Sequence, residues 1–358
     1  MNDLLQKAEL KILIVQPSRL GDIIFSLPVV FNLKGLFPNS HITWLVDDRC
    51  YELLENNPYI DEIIVVPFKE LKKNNLFKKI KEIIKLKNIL RSKKFDISID
   101  LHGLFKSSIL VLFAKAKYKI ASSSSYGMKE LSWIFSKEIK SQNSMFQHTI
   151  DRHLEVVKYL REKFNKKFEI KKEFPIYLSE ENEIKVNEIL KKFNIKDDFI
   201  TIFPGGGWLS RRWFIENYAR LSDILIKEFN YDVVFIGGKP GGSPEEGIIE
   251  KIQKLMNEKS YNLSGQLTLK QLCVLLKKTK LFIGNEAGPM HIACALGTKV
   301  IGIIGPTNPS RTGPFGNNFI VVKKDIDCAP CRERNCKKML CMKKITVEDI
   351  INAVNKIL

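Results

Sequence analysis

The sequence predicts an α/β protein of two doubly wound, parallel-sheet domains, and three observations carry that expectation. Short apolar runs alternate with helix-period segments, which implies parallel strands joined by crossover helices. The alternation occurs in two series separated by a polar, helix-rich stretch. The length, 358 residues, suits two domains of roughly 150 residues each.

The first series opens with the apolar run Lys11–Val15, the loop Gln16–Asp22 and an apolar-periodic stretch Ile23–Leu36, read as strand, loop and helix. A strand at His41–Val46, a helix near Tyr51–Glu55 and a strand at Glu62–Pro67 follow. Phe95–Leu101 is a further strand, leading through His102 and Gly103 into a helix. The second series has strands at Phe199–Phe203, Asp232–Ile236, Leu281–Ile283 and Val300–Ile304, with a helix at Ile215–Glu228 and another at Ile292–Leu296. The polar stretch Lys163–Lys192 holds the boundary, giving domains 1–172 and 173–358. The last helix, about 346–358, is considered able to pack back on the amino-terminal domain. Ligands of such sheets sit beyond the carboxyl ends of the strands.

Composition narrows the class. With 44% hydrophobic and 27% charged residues the chain is globular, and its apolar runs fall far short of the ~20 residues that span a bilayer. The start lacks the basic and apolar regions of a secretory signal. A cytoplasmic protein with seven reduced cysteines is expected. The net charge of +18, from 47 Lys and 11 Arg, favours acidic or phosphorylated partners and anionic membrane surfaces. No zinc-finger spacing, aromatic RNA-binding signature or basic-zipper pattern points to nucleic acid. Lys69–Lys94 carries 11 basic and two acidic residues among apolar ones at helical spacing. It reads either as a solvated lysine face over a buried stripe or as a segment attracted to anionic lipid.

Three glycine-centred loops follow expected strands. In Pro17-Ser-Arg-Leu-Gly-Asp22, Gly21 permits close backbone approach at a helix start that favours anions. Asp22 is a first-turn carboxylate facing the helix dipole or a proton acceptor, and locally the first reading is the plainer one. Phe203-Pro-Gly-Gly-Gly-Trp-Leu-Ser-Arg-Arg-Trp213 can cradle a phosphate on free backbone N–H groups, with Arg211 or Arg212 as fixed charge. It lacks the Gly-Lys-Ser/Thr ending of a P-loop. Gly284-Asn-Glu-Ala-Gly-Pro-Met-His291 offers Glu286 to ribose hydroxyls and Gly288 to a pyrophosphate, with His291 either structural or functional.

Together these segments resemble glycosyltransferase family nine, the heptosyltransferases of lipopolysaccharide inner-core assembly. The resemblance rests on Ile12–Asp22 through Leu27-Pro28, Asp100-Leu-His-Gly-Leu-Phe-Lys-Ser107, His148-Thr-Ile-Asp-Arg152, the glycine loop with Arg211-Arg-Trp213, Gly284–His291, and Gly305-Pro-Thr307 through Gly316. It implies a GT-B architecture, two doubly wound Rossmann-like domains facing a central cleft. The acceptor would bind the amino-terminal domain and the nucleotide-sugar the carboxy-terminal one, in an inverting reaction that needs no metal or other cofactor. Carried over by position, Asp22 becomes the general base and Arg211, where the family has lysine, offsets charge on the departing diphosphate. Donor contacts fall on Gly21, Gly206, Gly207, Arg211, Leu267, Glu286, Ala287, Gly288 and His291. Acceptor contacts are assigned to Arg19, Lys72, Lys73, His102, Lys106, His148 and Arg152. The family usually has aspartate at Glu286 and serine or threonine at Ala287, so the longer Glu286 side chain must fold back to reach the same hydroxyls.

Cys328, Cys331, Cys336 and Cys341 lie within 14 residues. They are read as reduced loop cysteines, with a structural zinc or iron site as the alternative. His148 and His153, five apart, do not make a convincing metal pair. The expected activity is transfer of heptose from ADP-heptose to a hydroxyl of the lipid A-linked inner core, an acidic acceptor, by an enzyme peripheral to the cytoplasmic face of the inner membrane. The alternatives are a related glycosyltransferase with another nucleotide-sugar or a protein acceptor, and a catalytically silent nucleotide-sugar-binding protein.

Overall fold

The computed structural model describes residues 4, 7, 9–68, 70, 75–122, 136–139, 146–238 and 247–358. It divides into two units, Met1–Tyr177 and Leu178–Leu358. Unit 1 contains β1 (Lys11–Val15), α1 (Leu20–Leu36), β2 (His41–Asp47), α2 (Asp48–Leu54), β3 (Glu62–Val66) and α3 (Leu76–Ser92). It continues with β4 (Ile97–Asp100), α4 (Phe105–Ala114), β5 (Tyr118–Ser122), β6 (Lys137–Ile139) and α5 (Thr149–Lys163). The sheet runs β3-β2-β1-β4-β5-β6, every neighbouring pair parallel.

Unit 2 contains α6 (Glu180–Lys192), β7 (Phe199–Phe203), α7 (Ile215–Lys227), β8 (Asp232–Phe235), α8 (Ile248–Leu255), β9 (Tyr261–Asn262) and α9 (Leu269–Lys278). Then come β10 (Leu281–Asn285), α10 (Gly288–Ala295), β11 (Val300–Ile303), α11 (Pro309–Thr312), β12 (Phe319–Val322), α12 (Leu340–Lys343) and α13 (Val347–Ile357). Its sheet runs β12-β11-β10-β7-β8-β9, again parallel throughout. Counted from each unit's first strand, both sheets follow the order 3-2-1-4-5-6 of doubly wound nucleotide-binding folds. The order reverses between β1 and β4 in unit 1 and between β7 and β10 in unit 2. Ligands bind such sheets at that switch point.

Burial explains why these runs became strands. Ile12 to Val15 and all of β7 and β10 are buried, as parallel strands covered on both faces require. At Gly284 the sheet leaves no room for a side chain, because a Cβ there would lie 2.8 Å from the Phe203 carbonyl oxygen. Trp213 and Tyr218 anchor the unit 2 core, and the Trp213 indole N–H donates to the Ile345 carbonyl at 2.9 Å.

The unit boundary falls at 177/178, five residues beyond the expected 172/173, because the segment after α5 is tied to unit 1. Asn32 donates to the Lys171 carbonyl and accepts from its N–H, and Asn57 donates to the Pro175 carbonyl. The last helix, α13, belongs to unit 2 and lies on α7, β11 and β12 through Ile350, Ala353 and Val354. No helix among the described residues is long and apolar enough to cross a membrane.

Candidate active site

In unit 1 the loops leaving β1 and β4 lie side by side at the switch point. Arg19, just before α1, has φ 75° and ψ 136°. A non-glycine residue in such a conformation costs about 1–3 kcal/mol and marks functional loops. Gly21 and Asp22 form the first turn of α1, both half-buried. The Asp22 carbonyl accepts from Ser26 Oγ at 2.8 Å, and Ser26 Oγ lies 3.1 Å from His153 Nδ1 and accepts from Gln16 Nε2 at 3.3 Å. Burial, with Arg152 nearby, pushes His153 down to about 3, so it braces this turn as a neutral imidazole. The turn that presents Asp22 is thus held from behind by a buried network of residues distant along the chain.

Asp100 at the end of β4 organises the second loop. It accepts from the N–H groups of His102 (3.0 Å) and Gly103 (2.9 Å) and from the hydroxyls of Ser107 (2.9 Å) and Ser108 (3.1 Å). Burial nevertheless pushes its carboxyl up to about 6. Burial, with Lys106 and Arg19 close by, pushes His102 down to about 3. His102 Nδ1 is buried with no hydrogen-bond partner among the described residues, which leaves a polar atom for a ligand to meet. Lys106 Nζ lies 3.4 Å from Ser18 Oγ. Arg19, His102 and Lys106 therefore meet around the start of α1, while Lys72 and Lys73 lie outside the described residues.

His148 and Arg152 have clear structural work. His148 caps α5, its Nδ1 accepting from the Ile150 N–H at 3.3 Å, and its ring meets Phe25 edge-on at 5.1 Å. Arg152 is buried and donates from Nη2 to Thr149 Oγ1 at 2.6 Å.

In unit 2 the corresponding loops leave β7 and β10. Asn285 ties them together. Its Nδ2 donates to the carbonyls of Pro204 and Gly205 at 2.8 Å each, and its Oδ1 accepts from the Trp213 N–H and the Tyr218 hydroxyl. Gly206 is buried and Gly207 exposed, with nothing within 4 Å of where a Cβ on Gly207 would sit. Arg212 Nε donates to the Gly206 carbonyl at 2.9 Å, whereas the Arg211 guanidinium stacks on Trp208 at 3.9 Å and lies 3.8 Å from Glu286 Oε1. A pocket of about 240 Å³ opens beside Gly205, lined by Ile236, Gly237, Ile249 and Ser264 among others.

Glu286 is 3% exposed, its Oε1 accepts from Thr312 Oγ1 at 2.6 Å, and its Oε2 accepts from Thr307 Oγ1. Burial pushes its carboxyl above the usual range, while Arg211 and the two threonines pull the other way. In this arrangement Glu286 lies beside Arg211 with both of its oxygens accepting from threonine hydroxyls. Ala287 caps α10 without a side-chain bond, and Gly288 begins that helix, so the expected loop up to His291 is shorter. His291 is buried within α10 and stacks on Phe315 at 6.5 Å. Leu267 is half-buried in the loop before α9.

The cysteine segment gives no support for zinc or iron. Cys328 and Cys331 are exposed, Cys336 is half-buried, and Cys341 is buried with its thiol pushed up by burial. Among the described residues no group of three or more His, Cys, Asp or Glu side chains is placed to hold a metal. Asp325 is engaged with Lys323 at 2.7 Å.

Two doubly wound units with loops at both switch points, where such sheets bind ligands, one loop carrying a carboxylate and the other glycines with a fixed guanidinium, have the architecture of a group-transfer enzyme of the GT-B type. The sequence model of glycosyltransferase family 9 (heptosyltransferase) matches residues 83–341, and the chain belongs to this family. It is 30% identical over 317 residues to the lipopolysaccharide core heptosyltransferase OpsX of Haemophilus influenzae, covering 88% of this chain and 84% of the relative. The fold matches a family 9 glycosyl transferase from Veillonella parvula with a TM-score of 0.79 at 24% identity, covering 97% of this chain and 96% of that one. It also matches E. coli ADP-heptose lps heptosyltransferase II, with a TM-score of 0.75 at 22% identity and coverage of 97% and 98%.

Proposed function

We propose that this enzyme transfers heptose from ADP-heptose to a hydroxyl of the lipid A-linked lipopolysaccharide inner core, with inversion at the anomeric carbon and without a metal. The reading rests above all on the Arg211 guanidinium fixed by Trp208 and Glu286 beside the glycine loop, an arrangement suited to a diphosphate leaving group. In the proposed reaction the acceptor hydroxyl gives its proton to Asp22 as its oxygen attacks the anomeric carbon opposite the diphosphate. The carbon–oxygen bond to the diphosphate breaks and ADP leaves. Arg211 and the N–H groups of Gly206 and Gly207 balance the charge that builds on it. Arg19, His102 and Lys106 line the acceptor side, where cations suit a phosphorylated, acidic sugar. Lys72, Lys73, His148 and Arg152 complete that side by resemblance, and Leu267, Ala287, Gly288 and His291 complete the donor side. The same reading puts the enzyme in the cytoplasm, peripheral to the anionic inner face of the membrane that carries the acceptor.

Calorimetry with ADP, ADP-heptose, UDP and GDP tests the donor. Selective binding of ADP and its heptose conjugate is expected. A preference for UDP or GDP would discard ADP-heptose and leave the related reading with another nucleotide-sugar.

A further inference from the structure

Helix α3 is unusual for a globular unit. Of its residues only Leu90 is buried, while Phe77 is 83%, Leu76 73% and Ile84 50% exposed. The same helix carries Lys78, Lys79, Lys81, Lys85, Lys87 and Arg91 against the single acidic residue Glu82. A helix that is apolar on its exposed side and strongly basic is the composition of an element lying in a lipid interface. Beneath it, between β3 and α4, lies a groove of about 510 Å³ lined by Val66, Ile83, Leu86, Ile109 and Phe113. That volume falls within the roughly 300–1,000 Å³ of small-molecule sites. Lys79, Lys85 and Lys106 also line it, with Glu82. Lys106 continues from the groove to Ser18 at the start of α1 and lies 5.3 Å from the Phe68 ring.

We infer that this groove is a lipid site, taking one acyl chain of an anionic bilayer phospholipid while its headgroup phosphate rests on Lys79 and Lys85. The apolar lining answers the chain and the lysines answer the phosphate. The outward residues Leu76, Phe77 and Ile84 then enter the surrounding headgroup layer, which covers surface that no other part of the described unit covers. The inference deepens the membrane-side reading above by naming the partner and its seat.

The test is titration of the protein with fluorescent single-chain lysophosphatidylglycerol below its micelle concentration. Saturable binding of one lipid per chain is expected, at least ten-fold weaker for lysophosphatidylcholine. Ile109→Trp, which fills the groove, and Lys79→Glu with Lys85→Glu are each expected to weaken it ten-fold or more, and Phe77→Ser to leave it unchanged. If Ile109→Trp fails to fold by circular dichroism, Ile83→Asp on the exposed helix takes its place. Absence of saturable binding, equal affinity for the choline lipid or full binding by the filled groove would each overturn the inference. So would a dimer in solution that Ile84→Asp separates into monomers, since a second copy would then be the occupant. Heptose transfer to a deacylated, soluble acceptor is measured in parallel. Lipid binding without transfer counts against the proposed reaction alone, and transfer without lipid binding counts against the groove alone.

Discussion

Asp22→Asn is expected to lower kcat by about 10²–10⁴, the usual contribution of a positioned general base, while ADP binds as before. The substitution keeps size and polarity and leaves the Ser26–His153 brace on the Asp22 carbonyl intact. The first turn of α1 is therefore expected to persist, and only the proton acceptor is lost. The donor binding proposed for unit 2 gives the internal control, because Gly206, Gly207 and Arg211 are untouched. Steady-state rates with saturating acceptor, together with calorimetry of ADP, separate the two effects. A variant keeping most of its rate would remove Asp22 as the base.

Arg211→Ala is expected to be the second most damaging change. Removing a fixed donor from a developing anion costs about 10²–10³ in kcat, and in the proposed reaction the same side chain also faces the ground-state diphosphate, so ADP affinity is expected to fall with it. Glu286 then stays buried with its charge partner gone, although Thr307 and Thr312 still donate to it. Arg211→Lys is expected to recover part of the rate, since charge returns. The planar stack on Trp208 and the reach to Glu286 do not. Rates and ADP affinities of the two variants, read together, distinguish charge from geometry. An alanine variant with undiminished kcat would place the counter-charge elsewhere, with Arg212 on the Gly206 carbonyl, Arg334 over the Trp208 ring at 4.8 Å and Arg332 near Glu286 the next residues to test.

How much of this was legible in the sequence follows from burial. β1, β7 and β10 are continuous apolar runs, so their position and the loops after them could be read directly. β5, β6, β9 and β12 were not expected. β9 is two residues long, whereas β12 is a continuous apolar run, Phe-Ile-Val-Val, on the sheet edge with Phe319 exposed, and the second series of expected strands stopped short of it. The basic segment was expected to be helical across Lys69–Lys94; α3 covers Leu76–Ser92 of it behind the Asn75 cap, whose side chain accepts from the Lys78 N–H, and residues 69 and 71–74 lie outside the described ones. At the site, the glycines and Arg211 were visible because glycine runs and paired arginines are rare signals. The supports were not. Asn285, Ser26, His153, Thr307 and Thr312 are ordinary residue types whose importance lies in partners distant along the chain. Asn285 sat inside a motif already singled out, and its signal was a buried amide at a strand end. For the same reason the threonine partners of Glu286 could not be read from the motif that singled it out.

The most direct measurement is the reaction itself, run with ADP-heptose and a deacylated inner-core acceptor and followed by NMR of the product. One ADP is expected to be released for each heptose linked, with the anomeric configuration opposite to that of the donor. Retained configuration, or nucleotide binding with no transfer to any inner-core acceptor, would contradict it.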